Sequence, residues 1–247
     1  MDEEIIVGRN PVLEALKSGR SVNKVIVSEQ TNEKMKQELS RAVRKAQTIL
    51  QVVPKQKIDQ VSKGNHQGVI AYVASYAYAS LEDLFAVAER KQEQPFFLIL
   101  DELEDPHNLG SILRTADATG VHGVIIPERR SVGLTATVAK TSAGAIEYVP
   151  VARVTNIART IEELQQRGLW VVGTDFERAD DYRTLDGETS LALVIGNEGK
   201  GISRLVKEKC DWFVSLPMIG QVSSLNASVA SSILMYEIYR KRHPLGD

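Results

Sequence analysis

Residues 96–127 read FFLILDELEDPHNLGSILRTADATGVHGVIIP, and this stretch decides the fold. The run FFLILD is continuously apolar up to Asp101, which is typical of a parallel strand buried on both faces. A helical segment follows, and GVIIP at its end predicts the next strand. The later runs YVPVA, LWVVGTD and LALVIG continue the strand–helix alternation. We therefore predict an α/β domain with a parallel sheet over residues 95–247.

A smaller α/β module precedes this domain. Asn10 is predicted to cap a helix that has Pro11 at its first position, and a second helix is predicted over residues 32–46. Strands are predicted at VNKVIVS (22–28), ILQVV (49–53) and GVIAYVAS (68–75). Residues 1–75 therefore form the expected first domain. Residues 76–94, YAYASLEDLFAVAERKQEQ, are predicted to be a connector with one helix.

The composition is that of a globular protein, with 43% hydrophobic and 25% charged residues. No apolar run reaches the length of a membrane helix, and the acidic start MDEEIIVGRN lacks the pattern of a signal peptide. The single cysteine, Cys210, excludes an internal disulfide and a cysteine-rich zinc site. A reducing cytoplasm is the expected location.

The positive charge is concentrated near the start of the chain. The net charge is −2, yet residues 1–75 carry 12 Lys and Arg against 8 Asp and Glu. Such an excess can bind a polyanion. The alternating charges of KMKQELSRAVRKAQ also fit a solvated helix face, and charge alone favours that interpretation.

The first polar cluster follows FFLILD. Pro106, Asn108 and Gly110 predict a loop, and Arg114 is predicted to lie one turn into the next helix. Free N–H groups at a helix N-terminus, together with an arginine, can bind a phosphate. An ordinary loop with a capping asparagine and a surface arginine explains the same residues.

Two more clusters follow later strands. LALVIGNEGKGIS (191–203) places a glycine-rich turn after an apolar strand, so that backbone can approach a ligand closely, but it matches neither Walker A nor GxGxxG. Glu198 can also be a carboxylate in the first turn of a helix. In the third cluster, Ser223, Ser224 and Asn226 precede a helix rich in small residues, which also suits close helix packing. That last helix is predicted over residues 224–242.

The three clusters together resemble a known family. N-x-G-x-x-x-R-T-A (108–116), I-G-N-E-G-x-G (195–201) and P-M-x-G-x-V-x-S-L-N-x-S-x-A (217–230) resemble the three motifs of the SpoU family of RNA ribose 2′-O-methyltransferases, within the SPOUT superfamily. The resemblance covers residues 95–242. GRNPVLEAL and HQGVIAYV in the first domain resemble the L30e-like RNA-binding domain of the TrmH-like branch that contains guanosine methyltransferases of 23S rRNA.

The resemblance implies a fold and a reaction. The C-terminal domain would contain a deep trefoil knot, and the chain would act as a cytoplasmic homodimer that pairs through its C-terminal region. It would transfer a methyl group from S-adenosylmethionine, without metal, to a ribose 2′-hydroxyl of RNA, with a guanosine of 23S rRNA as the expected target. A tRNA target stays open.

The resemblance also assigns residues. Arg114 matches the family's catalytic arginine, although a guanidinium is a poor base, so we expect it to bind phosphate and stabilise an alkoxide while the base is unidentified. The polar residues expected to order the site around it are Asn108, Glu198, Ser224 and Asn226. The residues expected to bind S-adenosylmethionine are Thr174, Gly196, Leu216, Met218, Ser224 and Leu225.

Three alternatives stay open from the sequence. A non-catalytic RNA-binding or ribosome-assembly protein could keep the fold, but the intact Arg114 and Asn226 argue against it. A base methyltransferase is disfavoured by the same polar set, and Cys210 lies outside the motifs that a cysteine-adduct mechanism would need. An α/β oxidoreductase is disfavoured because its phosphate-binding fingerprint is missing.

Overall fold

The computed structural model describes residues 5–17, 20–62, 65–74, 76–175, 179–221 and 224–245, so Ser223 of the predicted third cluster lies outside the described residues. The chain divides into two compact units. The N-terminal unit comprises Met1–Ala77 with Gly133–Ala136, and the C-terminal unit comprises Tyr78–Val132 with Thr137–Asp247. No helix within the described ranges is long and apolar enough to cross a membrane.

The N-terminal unit is a four-stranded sheet with helices on both faces. Its elements are β1 (Ile5–Val7), α1 (Arg9–Lys17), β2 (Val22–Ser28), α2 (Glu33–Lys45), β3 (Ile49–Val53), α3 (Lys55–Val61) and β4 (Val69–Val73). The strand order is β1-β4-β2-β3, with β4 antiparallel to β1 and β2, and β2 parallel to β3. Leu16 of α1 and Leu39 of α2 share one core with Val25. Ile58 of α3 packs with Ile70 in a second core.

The start of α1 differs from the prediction. The helix begins at Arg9, so Asn10 lies inside it and is not its cap. Gly8 adopts a positive φ of 100°, which turns the chain directly into the helix, and its carbonyl accepts the N–H of Val12 at 3.2 Å. Strand β1 was not predicted, because its three residues are too few to show a periodic pattern.

The C-terminal unit alternates strands and helices. Its elements are α4 (Leu81–Lys91), β5 (Phe96–Leu100), α5 (Pro106–Ala118), β6 (Gly123–Pro127), α6 (Ala136–Thr141), β7 (Val151–Val154), α7 (Ile157–Gln166), β8 (Trp170–Thr174), β9 (Asp180–Asp181), β10 (Leu191–Ile195), α8 (Arg204–Lys207), β11 (Trp212–Ser215) and α9 (Ala227–Arg242). Short 3-10 turns lie at Ala145–Glu147 and Tyr182–Thr184.

The sheet of the C-terminal unit confirms the predicted α/β class with a parallel sheet. Its order is β7-β6-β5-β10-β8-β11-β9, and every pairing is parallel. Phe97 and Ile99 of β5 belong to the core that α4, α7 and α8 cover, and the alternate residues Phe96, Leu98 and Leu100 are buried on the other face. The chain runs outward in opposite directions from β5 and β10. The carboxyl ends of these two strands therefore form a switch point, where ligands bind in open α/β sheets.

Several boundaries differ from those predicted. The segment 76–94, expected as a connector with one helix, does contain one helix, α4, but this helix belongs to the C-terminal unit, where its Leu84 and Ala88 are buried. α9 begins at Ala227 rather than Ser224, because the Asn226 side chain accepts the N–H groups of Ser228 and Val229 and so caps the helix. Strand β11 was not predicted.

Candidate active site

The first polar cluster is helical rather than a loop. The side chain of Asp105 accepts the N–H of His107 and caps α5, and Pro106 occupies the first position of the helix. Asn108 therefore lies in the first turn, and Arg114 lies more than two turns into α5. The predicted loop at Pro106, Asn108 and Gly110, and the position of Arg114 one turn into the helix, are wrong because Asp105 caps the helix before these residues.

Three polar side chains from the three clusters form one hydrogen-bonded chain. Asn108 is 5% exposed, and its amide donates to Oε1 of Glu198 in the loop after β10. Asn226 donates to Oδ1 of Asn108 at 2.9 Å. The Oδ1 atom of Asn226 also accepts two backbone N–H groups of α9. The carboxyl ends of β5 and β10 are thereby joined to the N-terminus of α9.

The loop after β10 is held in one shape by its own hydrogen bonds. Asn197 and Gly201 exchange two backbone hydrogen bonds of 3.1 and 2.8 Å, and Asn197 Oδ1 accepts the N–H of Gly199 at 2.9 Å. The buried carboxylate of Asp101 accepts the N–H of Ser203 at 2.7 Å. A Cβ atom at Gly196 would lie 2.2 Å from the carbonyl carbon of Gly201, so only glycine fits there.

This loop forms one wall of a cleft of about 830 Å³, part of which is open to solvent. Residues 214–218 and the segment from Ser224 into α9 form the other walls. All six residues expected to bind cofactor line it: Thr174, Gly196, Leu216, Met218, Ser224 and Leu225. Of the five residues expected to be catalytic, Glu198 and Ser224 line it.

Arg114 lies apart from this cleft. It is exposed on α5, it does not line the cleft, and it forms no hydrogen bond or ion pair within the described part of the chain. One helical position further on, Thr115 contacts Ser232 of α9 through their hydroxyl oxygens, 3.0 Å apart. Arg114 is therefore open to solvent, next in sequence to a residue that contacts α9.

Two charged residues that line the cleft lie outside the three predicted motifs. Asp175 and Lys207 both line it and form an ion pair with each other. Asp175 directly follows β8, and this position at the carboxyl end of a parallel strand is the signal that could have identified it. Lys207 comes from α8, a four-residue helix with no sequence pattern of its own.

The surroundings of the one cysteine disfavour a nucleophilic thiolate. Burial raises the pKa of the Cys210 thiol to about 12, and its Sγ atom donates to the carbonyl of Val206. No group of three or more His, Cys, Asp or Glu side chains able to hold a metal ion occurs within the described ranges.

Comparison with known proteins identifies both parts of the chain. The profile of the SpoU rRNA methylase family matches residues 95–236. A second profile, RNA 2′-O ribose methyltransferase substrate binding, matches residues 5–79. A Bacillus subtilis (strain 168) protein assigned to the TrmH family of tRNA/rRNA methyltransferases, YacO, is 59% identical over 244 residues, which cover 99% of this chain and 98% of the relative.

Solved structures of SpoU and TrmH methyltransferases are also similar to this chain. The SpoU methyltransferase AviRb from Streptomyces viridochromogenes, in complex with the cofactor AdoMet, is 28% identical with a TM-score of 0.62, covering 97% of this chain and 90% of that chain. The AdoMet-bound rRNA methyltransferase from Sinorhizobium meliloti is 25% identical with a TM-score of 0.60, covering 98% and 88%. The chain belongs to the SpoU/TrmH family of RNA methyltransferases, whose cofactor is S-adenosylmethionine.

Proposed function

We propose that this methyltransferase modifies a ribose 2′-hydroxyl of RNA. The observation that carries the proposal is the chain Glu198–Asn108–Asn226, which sets polar groups beside the cofactor cleft. A pyrimidine C5 mechanism needs a thiolate instead, and burial raises the pKa of the partly buried Cys210 thiol, which disfavours the thiolate. The match of residues 5–79 to a 2′-O ribose substrate-binding profile supports the same acceptor.

The residues of the cleft fit S-adenosylmethionine. Gly196, Leu216 and Leu225 offer backbone and apolar surface, and Thr174, Met218 and Ser224 complete the wall. The missing Cβ at Gly196 lets the loop backbone close against Gly201 and Ile202. Bound there, the cofactor would supply a methyl group on a positively charged sulfur.

The protein's own residues position the acceptor. Attack of the ribose oxygen forms the O–CH₃ bond as the S–CH₃ bond breaks, and the hydroxyl proton leaves to a base. We propose that Asn108, Asn226 and Ser224 order the site with Glu198, and that Arg114 binds the neighbouring phosphate and stabilises the developing alkoxide. The exposed guanidinium can form a planar two-point contact with phosphate.

A trefoil knot is part of the proposal. β10 lies between β5 and β8, whereas the later β11 lies outside β8. After β11, Leu216 and Met218 line the cleft together with the loop after β10; Ser224 and Leu225 line it as well, directly before α9, which packs against α5. This arrangement at the ends of β8 and β10 supports a chain that passes through a loop, a rare exception among folds.

We further propose a homodimer that acts in the cytoplasm on large-subunit rRNA, with a guanosine of 23S rRNA as the target. α9 buries Leu234 and Ile238, yet it also exposes Val229, Ile233 and Tyr236 on its other face. A second apolar face on an already packed helix supports a two-fold contact between copies.

The test of the proposed function is nucleoside mass spectrometry. The full chain is incubated with S-adenosylmethionine carrying a labelled methyl group and with either 23S rRNA or total tRNA lacking the modification. Label in 2′-O-methylguanosine of the rRNA is the expected result. Label on a base would contradict the ribose acceptor, and label in tRNA alone would contradict the rRNA target.

A further inference from the structure

The ion pair between Asp175 and Lys207 has no part in the chemistry proposed above, although both residues line the cofactor cleft. The side chain of Asp175 is 16% exposed, and that of Lys207 is 44% exposed. A carboxylate that is mostly removed from water needs charged or hydrogen-bonding partners. Lys207 is one such partner, and a ligand in the cleft can be another.

Strand order places Asp175 at the far end of the cleft from the reacting groups. Asn108 follows β5 and Glu198 follows β10, which are neighbouring strands, whereas Asp175 follows β8 on the other side of β10. Since adjacent strands lie about 4.8 Å apart, the ends of β5 and β8 are separated by about 10 Å. The cleft therefore has a reacting end near Asn108 and a distal end near Asp175.

The connectivity of S-adenosylmethionine decides which part reaches the distal end. The transferable methyl group and the amino-acid chain are both bonded to the sulfur, and the ribose and adenine extend from the sulfur's third substituent. When the methyl group faces Asn108 and Glu198, as the proposed function requires, the other two substituents of the sulfur are left to face Asp175, and the apolar side chains that line the cleft favour the adenosine part over the charged amino-acid chain. The inference rests on the proposed function at this step.

The chemistry of the lining separates ribose from adenine. Adenine is a flat ring, and the apolar side chains of Ile202, Leu216 and Leu225 provide surface for it. The ribose carries two neighbouring hydroxyl donors, and an ionised carboxylate has two oxygens that only accept. We propose that Asp175 accepts hydrogen bonds from the 2′,3′-diol of the cofactor's ribose, and that Lys207 holds the carboxylate in place and balances its charge.

Calorimetric titration of the full chain without RNA tests this assignment. The ligands are S-adenosylhomocysteine, its 2′-deoxy and 3′-deoxy analogues, and the 6-oxo analogue S-inosylhomocysteine. The proteins are wild type, Asp175→Asn and Lys207→Met. Wild type is expected to bind at least one deoxy analogue about tenfold or more weakly, as for a lost bond to a charged group. Asp175→Asn is expected to bind the parent ligand about 10- to 100-fold more weakly and to discriminate little between parent and analogue. Lys207→Met should keep the discrimination.

Three outcomes would overturn the proposal. The first is binding of both deoxy analogues to wild type as tightly as the parent, a result that needs no variant and so stands even if a variant does not fold. Asp175→Asn could keep the full wild-type discrimination. In the third, Asp175→Asn no longer discriminates against the 6-oxo analogue S-inosylhomocysteine but still binds the deoxy analogues as weakly, relative to the parent, as wild type does. This result would assign Asp175 to the adenine ring. None of these titrations involves RNA, so a base acceptor would refute the proposed function without changing their result.

Discussion

At the scale of single residues, Arg114 is the side chain on which the proposed chemistry depends most. Its exposed position on α5 leaves the guanidinium facing solvent beside the α5–α9 contact. Arg114→Ala should lower the single-turnover rate of methyl transfer by about 10²–10³, because the lost charge acts mainly on the transition state. S-adenosylmethionine affinity should stay within a few-fold, since Arg114 does not line the cleft. Arg114→Lys should not restore the rate, because an ammonium lacks the planar fork.

Arg90→Ala is the matched control for this experiment. Arg90 is an exposed arginine of α4, and its Nε atom donates to the carbonyl of Ala86 rather than to a charged group. It lies at the end of α4 that leads into β5, on the amino side of the sheet. Its removal should leave the rate unchanged. An Arg114→Ala enzyme with the rate of the Arg90→Ala enzyme would remove Arg114 from the mechanism and direct attention to Ser224 and Asn226.

His122 makes the stability of the C-terminal unit depend on pH. Its ring is fully buried; Nδ1 accepts the N–H of Phe96 at 3.0 Å, and Nε2 lies 3.0 Å from Glu93. Burial lowers the pKa of His122, partly offset by the hydrogen bond with Glu93. The folded state therefore disfavours the protonated ring. The neutral His122 ring therefore makes its full contribution to the free energy of unfolding above the unfolded-state pKa of about 6.5. That contribution is lost as the pH falls below this value.

Thermal unfolding at pH 7.5 and pH 5.5 measures this effect. The wild-type Tm should fall more between the two pH values than the Tm of His122→Gln. His107→Gln removes an exposed histidine from α5 and should keep the wild-type pH dependence. Equal pH dependence in wild type and His122→Gln would show that the buried ring does not titrate in this range.

At the scale of secondary-structure elements, the loop between β10 and α8 shapes the cofactor cleft. A Cβ atom at Gly196 would meet backbone atoms of Gly201 and Ile202 at 2.2 to 2.5 Å, whereas at Gly199 it would meet only Asn197 Oδ1, at 3.6 Å. Gly196→Ala should therefore abolish measurable S-adenosylmethionine binding in calorimetry and destabilise the unit by about 1–3 kcal/mol. Gly199→Ala, the matched control, should bind within a few-fold of wild type. Equal binding by both variants would mean that the loop backbone can shift.

Elements with strong periodicity could be predicted from the sequence, and weakly patterned ones could not. β5, β6, β8 and β10 are continuous apolar runs, so both their existence and their parallel pairing followed from composition. Strand β11 was not predicted from the sequence, because WFVS is short and its first two residues are only partly buried. The start of α5 was misplaced because Asp105, rather than Asn108, supplies the cap. Propensity alone does not choose between two capping residues so close together.

The cleft was predictable where the chain's backbone forms it and not where distant side chains meet. The six expected cofactor residues share one cleft because glycine-rich and proline-containing loops at strand ends converge at one edge of a parallel sheet. The pairing of Asp175 with Lys207 depends on the placement of α8 against β8, which no local pattern encodes. The contact between Asn108 and Asn226 joins residues 118 positions apart, and only the family resemblance suggested it.

At the scale of the whole molecule, the two units should divide RNA binding and catalysis. All three motifs lie in the C-terminal unit, and the excess of Lys and Arg lies in residues 1–75. A chain that begins at Tyr78 should bind S-adenosylmethionine within a few-fold of the full chain. It should bind rRNA more weakly, with a shallower dependence on salt, because fewer phosphate contacts remain. Methylation of the full substrate at the wild-type rate by this truncated chain would contradict the division.

At the same scale, the exposed apolar face of α9 is expected to hold two copies of the chain together. Val229, Ile233 and Tyr236 are 47%, 36% and 52% exposed and share one face of α9. Ile233→Asp should convert a dimer into a monomer in light scattering at micromolar concentration. In a two-fold contact the substitution occurs twice, so two carboxylates would be buried in apolar surroundings. Leu205→Asp is the control, because Leu205 is an exposed apolar residue of α8, 59% accessible and outside this face. A monomeric wild type would exclude the dimer. Dimers of equal stability for both variants would place the contact on a surface other than this face of α9.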